Sequence, residues 1–515
     1  MKVQILIWLF LLLLPGLVWA SKNQDFFSVY DLEIDGKFNY HLVEDLNDDQ
    51  KSDVILIHEG EEKSRMVSIF FQRDDGFHKK ADQTWEIDNR VILFDTGNID
   101  ENPEKEIVCI LKDGIYYYQF DNGQYNLSLH KLLDVNSLFV VPNKYRVGSW
   151  DFTRDLNDDL IDDLFIPLFD GYGVFYRSES DGYELVSKLA APVNGEITAV
   201  KQNNNNLGDY AAARYLTATF LFKDFNRDGR SDIIALNENN LHIFFQDEAG
   251  RFSNEQDQHI KVSIIENKKG LSISIGGKNE KEQVTINKIS DINNDGLLDI
   301  IAQKMDTKAS MLNPTSQLQI YLGKESGTST GARFDKTPDQ IIVCEGLQIG
   351  SNIKDLNSDN NMDLIVPSIK LGVLKIIKML LMRRATFEVL VYNADSQGMY
   401  SNKPDFETDL SIEFSYSGGS TIPVNDFNDY NGDGQTDILT SKSNEELNIY
   451  FGTGEDNFVN KKPDVKFKIE LPKDGSNVKA KLLNSDNKMD LIISYNDQGN
   501  EQDTQKSFLK ILIAR

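Results

Sequence analysis

Short apolar runs separated by polar loops recur along the chain and predict β-strands rather than helices. Residues 54–57 and 233–236 are such runs, and a second, often aromatic run follows them, as at 243–245 and 449–451. Runs of this length that are rich in β-branched and aromatic residues are typical of strands. The turns between them contain Gly, Asp or Asn, which supply the positive φ angles of tight hairpins. The pattern therefore predicts antiparallel hairpins along most of the chain.

A nine-residue motif, Asp-x-Asn-x-Asp-x-x-x-Asp, precedes these runs and divides the chain into units. Six copies are intact, and they begin at residues 45, 155, 224, 291, 355 and 429. Two further copies are degenerate: the one from Asn98 to Glu106 has exchanged side chains, and the one that begins at Leu482 lacks its first acidic residue. Successive copies start 53 to 74 residues apart. That spacing accommodates about four strands in each unit.

Repeated four-stranded antiparallel units predict an all-β fold, a β-propeller whose blades protect one another's edges around a ring. The chain ends on a strand pattern at 508–513 with no fourth strand after it, and residues 26–30 precede the first motif without a unit of their own. We therefore expect the N-terminal strand to complete the last blade and close the ring. Eight motifs favour eight blades, and seven is the alternative if one degenerate copy does not head a blade.

Oxygen-bearing side chains at positions 1, 3, 5 and 9 of a short loop suit a hard cation. Ca²⁺ accepts six to eight oxygen ligands in flexible geometry, whereas Mg²⁺ demands a stricter octahedron and usually keeps several waters. The alternative is that Asx-rich turns simply cap the strands. An EF-hand is excluded, because its loop needs a Glu at position 12, and that position is Leu56 in the first copy and lies within a strand run.

The motifs resemble FG-GAP repeats, also called VCBS repeats, the calcium-bearing units of integrin α-chain propellers and of many secreted bacterial proteins. The resemblance covers nearly all of residues 21–515 and implies Ca²⁺ in the loop that joins the first two strands of a blade. The usual Gly at position 6 is replaced by Gln50, Leu160 and Asn360, of which Asn tolerates positive φ best.

The resemblance assigns about six calcium sites, one to each intact motif, whereas Pro103 and Leu482 leave metal binding by the degenerate copies open. The implied ligands are Asp45, Asn47, Asp49, Asp53, Asp155, Asn157, Asp159, Asp163, Asp224, Asn226, Asp228, Asp232, Asp291, Asn293, Asp295, Asp299, Asp355, Asn357, Asp359, Asp363, Asp429, Asn431, Asp433 and Asp437.

The net charge of the chain bears on which partners it can bind. The 515 residues include 81 Asp and Glu against 54 Lys and Arg, a formal net charge of −27. Such an excess repels phosphate backbones, so we expect no nucleic-acid partner. Six loops with three Asp each hold 18 of the 81 acidic residues, which the motif predicts to be metal ligands. The two cysteines, Cys109 and Cys344, lie in apolar runs and are predicted to be buried free thiols.

The first twenty residues have the pattern of a secretory signal peptide. Lys2 precedes an apolar run, and Val18-Trp19-Ala20 forms a small-x-small cleavage site. The alternative is an uncleaved membrane anchor. No later stretch reaches about 20 apolar residues, so no transmembrane segment is predicted in the mature chain. We expect the protein to be exported, to a periplasmic, cell-surface or extracellular location.

The longest unit contains a departure from the strand pattern. After the sixth motif, apolar residues at 374, 377 and 381 alternate with cationic ones, which predicts a helical insertion near 367–386 in a single propeller of residues 21–515. The amphipathic helix of 370–384 either packs against its own propeller or docks on a partner or an anionic membrane surface.

No sequence motif of an enzyme stands out. A nucleophile elbow, a His-Glu-x-x-His motif and a phosphate loop are missing from the sequence, so no catalytic residue is assigned. We expect a non-enzymatic calcium-binding module for adhesion or assembly, with a protein or glycan partner on one propeller face. The alternative is a polysaccharide-active enzyme, a lyase or hydrolase, or a lectin on the same scaffold.

Overall fold

The computed structural model describes residues 25–515 apart from a set of internal segments. Those segments are 179–181, 201–209, 238–239, 262–282, 307–314, 326–331, 349–350, 358, 370–380, 382–383, 415–419, 422, 444, 454–458, 461 and 496–507. Across the described residues the chain forms eight antiparallel four-stranded blades of a β-propeller, and two of the sheets carry short additional strands. Helical structure there is limited to two 3₁₀ turns, Glu61–Lys63 and Gly475–Asn477, and to the single residue Leu381.

The strands of each blade follow one another in the chain from the innermost to the outermost in blades 1 to 7. Blade 1 comprises Lys37–Glu44, Asp53–Glu59, Arg65–Phe70 and Gln83–Glu86. Blade 2 comprises Leu93–Gly97, Glu106–Leu111, Gly114–Asp121 and Gln124–Leu133. Blade 3 comprises Thr153–Arg154, Asp163–Leu168, Gly171–Arg177 and Tyr183–Leu189. Blade 4 comprises Thr219–Lys223, Asp232–Asn237, Asn240–Phe244 and Gln258–Lys261.

Blades 5 to 7 have the same strand order, and blade 8 combines strands from both ends of the chain. Blade 5 comprises Gln283–Ser290, Asp299–Asp306, Thr315–Tyr321 and Gln340–Glu345. Blade 6 comprises Asn352–Lys354, Asp363–Ile369, Arg384–Tyr392 and Phe406–Phe414. Blade 7 comprises Asn425–Asn428, Asp437–Ser443, Glu446–Tyr450 and Val465–Lys468. Blade 8 comprises Val478–Lys481, Asp490–Tyr495, Phe508–Ala514 and, from the other end of the chain, Phe27–Glu33.

Several short strands lie outside the four main strands of the blades. A hairpin connects blades 3 and 4, and a small strand pair follows the third strand in blades 1 and 5. Single short strands pair with the first strand of blade 2 and with the second and fourth strands of blade 6. These elements are Asn194–Val200 with Tyr210–Leu216, Gln72–Arg73 with Gly76–Phe77, Lys324–Glu325 with Ala332–Arg333, and the edge strands Gly148–Ser149, Leu347–Gln348 and Ser420–Thr421.

The second strand of each blade is the apolar run that follows a motif, and it is buried on both faces. In Asp53–Glu59 six of seven residues are buried, and in Glu106–Leu111 all six are. Each such strand has a partner on either side within its sheet and a neighbouring blade against each face, so both faces must be apolar. This explains why the sequence shows continuous apolar runs at these positions rather than strict alternation.

The described apolar side chains form eight clusters, one between each pair of consecutive blades. The cluster between blades 1 and 2, for example, joins Ile55 and Trp85 to Ile107 and Tyr125. The cluster between blades 8 and 1 completes the circle. Burial of apolar surface therefore occurs between blades, and each blade depends on both neighbours for its core.

The ring is closed by the N-terminal strand, as the chain ends predicted. Phe27–Glu33 pairs antiparallel with Phe508–Ala514 over seven residue pairs, from Phe27 opposite Ala514 to Glu33 opposite Phe508. Both degenerate motifs head genuine blades, the second and the eighth. The blade count is therefore eight, and the seven-bladed alternative is wrong.

Some sequence-based predictions fall outside the described residues. The signal peptide does, and so does most of the predicted 370–384 helix, of which Leu381 is described as helical and 79% exposed. Residues 367–369 and 384–386, which the predicted insertion included, belong to the second and third strands of blade 6. Among the described residues we find no helix with the length and apolar character needed to cross a bilayer. Cys109 and Cys344 are buried and unpaired, as predicted.

Ring closure can be tested on the N-terminal strand. Leu32 is fully buried between blades 8 and 1, so Leu32→Ala should lower the free energy of unfolding by about 2–5 kcal/mol in urea titrations, through lost burial and a residual cavity. Val29 lies on the same strand and is 44% exposed, so Val29→Ala should cost less than about 1 kcal/mol. Equal effects of the two substitutions would contradict a closing role for this strand.

Candidate metal centre

The motif loops connect the first and second strands of their blades, so all eight lie on one face of the propeller. Neighbouring loops are joined by main-chain hydrogen bonds. The Lys105 N–H donates to the Leu46 carbonyl at 2.9 Å, and the Met362 N–H donates to the Ile292 carbonyl at 2.9 Å. The same bond crosses the closure of the ring, from the Ser52 N–H to the carbonyl of Leu483 at 2.8 Å. Main-chain hydrogen bonds thus link neighbouring motif loops at several points around the ring, including its closure.

Main-chain N–H groups hold the motif side chains inside each intact loop. In all six, the N–H of position 6 donates to the carboxylate of position 1 at 2.7–2.9 Å. The N–H of position 5 donates to the amide oxygen of position 3, and the N–H of position 7 to the carboxylate of position 5; in the first loop these acceptors are Asn47 and Asp49. Most loops also bond position 5 to position 1, as from the Asp49 N–H to Asp45 at 3.2 Å. The side-chain oxygens are thus gathered over one short turn.

Position 6 adopts a left-handed conformation whether or not it is Gly. Gly229 has a φ of 85°, while Gln50 and Leu160 have φ values of 66° and 71°. At positive φ the Cβ atom of a non-Gly residue crowds its own main chain, which is sterically unfavourable. The first and third loops are therefore strained relative to the Gly-containing loops.

The ninth residue of each motif links the loop to the rest of its blade. Its side chain is 0% exposed in the six intact copies and in Asp490, and Glu106 is 1% exposed. One carboxylate oxygen accepts the N–H of position 2, as Asp232 does from Phe225 at 2.8 Å. In six blades the other oxygen accepts an N–H at or just beyond the end of the third strand, as Asp232 does from Gln246 at 3.0 Å. The degenerate eighth motif keeps both bonds, so this role does not depend on a complete ligand set.

Burial makes these ninth-position carboxylates costly to ionise without a counter-charge. Desolvation raises the pKa of Asp163 to about 8, and the nearby carboxylates of Asp159 and Asp155 add to the rise. Burial also raises the pKa of Asp53 to about 7 and that of Asp299 to about 7. In blade 3 the Oδ1 atom of Asp163 is buried without a hydrogen-bond partner. A cation beside these groups would compensate the charge.

The donor set fits calcium in chemical type. Each intact loop supplies three carboxylates and one amide oxygen, and an oxygen that accepts one N–H keeps a second lone pair for a cation. Among the described residues, however, no group of three or more His, Cys, Asp or Glu side chains is arranged closely enough to hold a metal ion. The 24 ligands assigned by the resemblance therefore stay a prediction.

The two degenerate loops have cationic side chains of the chain itself nearby. Lys105, in the second loop, pairs with Glu44 at 2.8 Å, and the Arg177 guanidinium donates to the Ile99 carbonyl at 2.6 Å. In the eighth loop, Lys488 opposes the rise that burial causes in the pKa of Asp490. Cationic side chains of the protein thus lie beside both degenerate loops.

A second family of structural acids, which the motif did not predict, lies before the fourth strands. Asp82, just before the fourth strand of blade 1, accepts the N–H of Phe71 at 2.8 Å. The same bond forms in four other blades, with acceptors Asp257, Asp339, Asp405 and Asp464. A signal was present, because an Asp stands directly before the fourth strand each time, in Ala-Asp-Gln, Gln-Asp-Gln, Pro-Asp-Gln, Pro-Asp-Phe and Pro-Asp-Val.

Tyrosine hydroxyls also support the loops, and they were not predicted. The hydroxyl of Tyr125 donates to the carbonyl of Lys105, the eighth motif residue of the same blade, at 2.9 Å. Tyr183 and Tyr400 make the equivalent bond in blades 3 and 6. The sequence signal for these tyrosines is their position one or two residues after a turn Gly, in Gly123-Gln124-Tyr125, Gly182-Tyr183 and Gly398-Met399-Tyr400.

Comparisons with known proteins give structural likeness only. No family model and no curated protein matches the chain. Similar solved structures include an Agrocybe aegerita lectin that recognises non-reducing terminal N-acetylglucosamine, with 14% identity, a TM-score of 0.37, and coverage of 86% of this chain and 91% of that one. The WD40 domain of SCAP from fission yeast shares 11% identity with a TM-score of 0.27, over 82% and 95% of the two chains. The S. cerevisiae core factor shares 7% with a TM-score of 0.30, over 82% and 60%.

Substitutions at the ninth position can separate the structural role from the predicted metal role. Asp490→Asn leaves one N–H of its pair without an acceptor and should cost about 1–3 kcal/mol of unfolding free energy, equally in calcium and in EGTA. Asp299→Asn should cost more in calcium than in EGTA, because it also removes a ligand. The exposed Asp486→Asn is the control and should change stability by less than about 0.5 kcal/mol. Equal losses for Asp299→Asn in the two conditions would contradict the ligand assignment.

Proposed function

We propose that this protein is an exported, calcium-stabilised β-propeller of the FG-GAP (VCBS) type that binds a protein or glycan partner and catalyses no reaction. The observation that carries the proposal is the circle of eight loops on one face, six of them with the same four oxygen-bearing side chains. Such repetition around a ring supports a role for the cation in the scaffold, since one catalytic site would need one set of residues.

The charge of the chain supports the calcium part of the proposal. Six Ca²⁺ ions would add 12 positive charges to a chain of net charge −27. Three carboxylates within one loop repel one another unless a cation lies between them. Calcium modules outside the cell work at about 10⁻⁴–10⁻³ M, which agrees with the signal-peptide pattern of residues 1–20.

Exposed apolar side chains on the opposite face support a macromolecular partner. Val141, in the connection from blade 2 to blade 3, is 74% exposed, and Phe169, in the adjacent hairpin of blade 3, is 59% exposed. The Leu138 N–H donates to the Pro167 carbonyl at 2.8 Å, which ties the two segments together. Exposed apolar side chains grouped in this way are typical of interaction surfaces.

Removal of calcium tests the scaffold role. A ligand that binds only the folded state stabilises it by mass action, by about 2.7 kcal/mol per site at 100 times Kd. We expect EGTA to lower the melting temperature of the mature protein by at least about 5 °C, and re-added Ca²⁺ to restore it, in differential scanning fluorimetry. Equal recovery with Mg²⁺ would contradict the choice of calcium, and an unchanged melting temperature would contradict metal binding altogether.

Partner capture tests the binding role. Wild-type protein in calcium should retain a protein from the surface fraction of the source organism or bind a glycan on an array. If the opposite face holds a protein, the double variant Val141→Asp, Phe169→Asp should lose capture at least tenfold, whereas Leu185→Asp, 51% exposed on an outer strand, should not. Cleavage of a polysaccharide substrate by the purified protein would instead favour the enzyme alternative.

A further inference from the structure

A cavity of about 390 Å³ lies on the face of the motif loops, between blades 1 and 2. Its size is within the range of about 300–1,000 Å³ found for small-molecule sites. Three elements line it: positions 3, 5 and 7 of the first loop, the segment 71–74 that follows the third strand of blade 1, and the hairpin turn of blade 2 with Phe120 and Gly123.

The cavity exists because the turn of blade 2 is short. Asp121 pairs with Gln124 across a two-residue turn, whereas the equivalent turns of blades 4 and 6 have five residues between paired positions. In those blades the turn glycine packs on the position 3 Asn of the preceding blade: a Cβ at Gly250 would lie 3.4 Å from Asn157. A Cβ at Gly123 would meet nothing within 4 Å. The space beside Asn47 is therefore left open.

The charges around this cavity are balanced. Lys51 forms an ion pair with Asp74 at 2.9 Å and lies 3.7 Å from Asp49. Arg73 pairs with Asp82 at 2.6 Å. Among the residues that line the cavity, the two cations Lys51 and Arg73 stand against the two acids Asp49 and Asp74, so the lining carries no formal net charge. The site does offer both donors and acceptors to a neutral polar ligand, because Asp74 is 99% exposed and keeps free lone pairs.

The wall of the cavity is aromatic and held in place. The partly exposed Phe71 ring lies 5.9 Å from the buried Phe120 ring in an edge-to-face arrangement. The main chain beneath is fixed, since the Phe71 N–H donates to Asp82 and the Gln72 N–H donates to Asp53, both at 2.8 Å. A site that is ordered before binding loses little entropy when it takes a ligand.

We propose that this cavity binds one ring of a neutral sugar. The C–H face of the ring would pack on Phe71, and its hydroxyl groups would exchange hydrogen bonds with Asp74, Lys51 and Asp49. This inference rests on the proposed function, because it specifies the class of glycan and the cavity on the motif-loop face that binds it.

The test is to titrate monosaccharides into the mature protein in a buffer that contains calcium. Binding is measured by calorimetry or by ligand-observed NMR. The neutral probes are glucose, galactose, mannose and N-acetylglucosamine, and the charged probes are glucuronic acid and glucosamine. We expect at least one neutral probe to bind and to exceed both charged probes in affinity. Asp74→Ala and Lys51→Ala should each weaken that binding at least fivefold.

Two further variants keep the test specific. Lys324 of blade 5 occupies the place of Arg73 and pairs with Asp339 at 2.7 Å, so Lys324→Ala is the matched control and should leave binding unchanged. Replacing the turn at 122–123 with the five residues 247–251 of blade 4 should fill the cavity and abolish binding while the melting temperature stays near that of the wild type.

The outcomes also separate this inference from the proposed function. Binding of no neutral probe, preference for a charged probe, or binding that survives both Asp74→Ala and the turn replacement would overturn the sugar site. In each of these cases, capture of a protein partner or glycan binding elsewhere on the propeller would leave the proposed function standing.

Discussion

The fold depends on one buried carboxylate per blade. The ninth residue of each motif accepts an N–H from its own loop and, in six blades, a second N–H from the end of the third strand or just beyond it, while its side chain is excluded from solvent. A buried N–H and a buried carboxyl group each destabilise the fold if they have no hydrogen-bond partner. The hydrogen bond between them removes both penalties. The degenerate units retain this acid, as Glu106 and Asp490, although other motif positions have changed. The loop conformation is thus a property of the scaffold first and of any metal second.

The loops and the apolar clusters make the ring cooperative in different ways. Apolar burial lies between blades, so no blade has a complete core by itself. Main-chain bonds between successive loops add directional links on one face, including the link from Ser52 to Leu483 across the closure. The N-terminal strand then joins the two ends of the chain within one sheet, which removes the exposed edges that an open ring would leave. Loss of one interface therefore affects both of its neighbours.

The acidic residues serve at least three purposes, which a count of charges cannot separate. The acids of motif positions 1 and 5 are gathered with the amide oxygen of position 3 over one turn, where we propose that calcium binds. Ninth-position acids such as Asp299 and fourth-strand acids such as Asp339 hold main-chain N–H groups. Others, including Asp74, lie exposed beside cations at the cavity between blades 1 and 2. The cavity itself exists because the turn of blade 2 is three residues shorter than the equivalent turns of blades 4 and 6. No sequence motif marks this difference in length.

The sequence by itself predicted the strands, the repeat and the closing strand, because these follow from local hydrophobic pattern and from the requirement to protect sheet edges. It favoured eight blades over seven, and the structure decided the count. The sequence also singled out the motif oxygens as candidate ligands, since their spacing is local. Only the tertiary structure decided which strands and loops come into contact. The Asp82 carboxylate meets the Phe71 N–H, and Tyr125, Tyr183 and Tyr400 support the motif loops, through contacts between separate strands and loops of one blade. The open space beside Asn47 lies between blades 1 and 2. Packing and turn length, rather than local preference, set the geometry at each of these places.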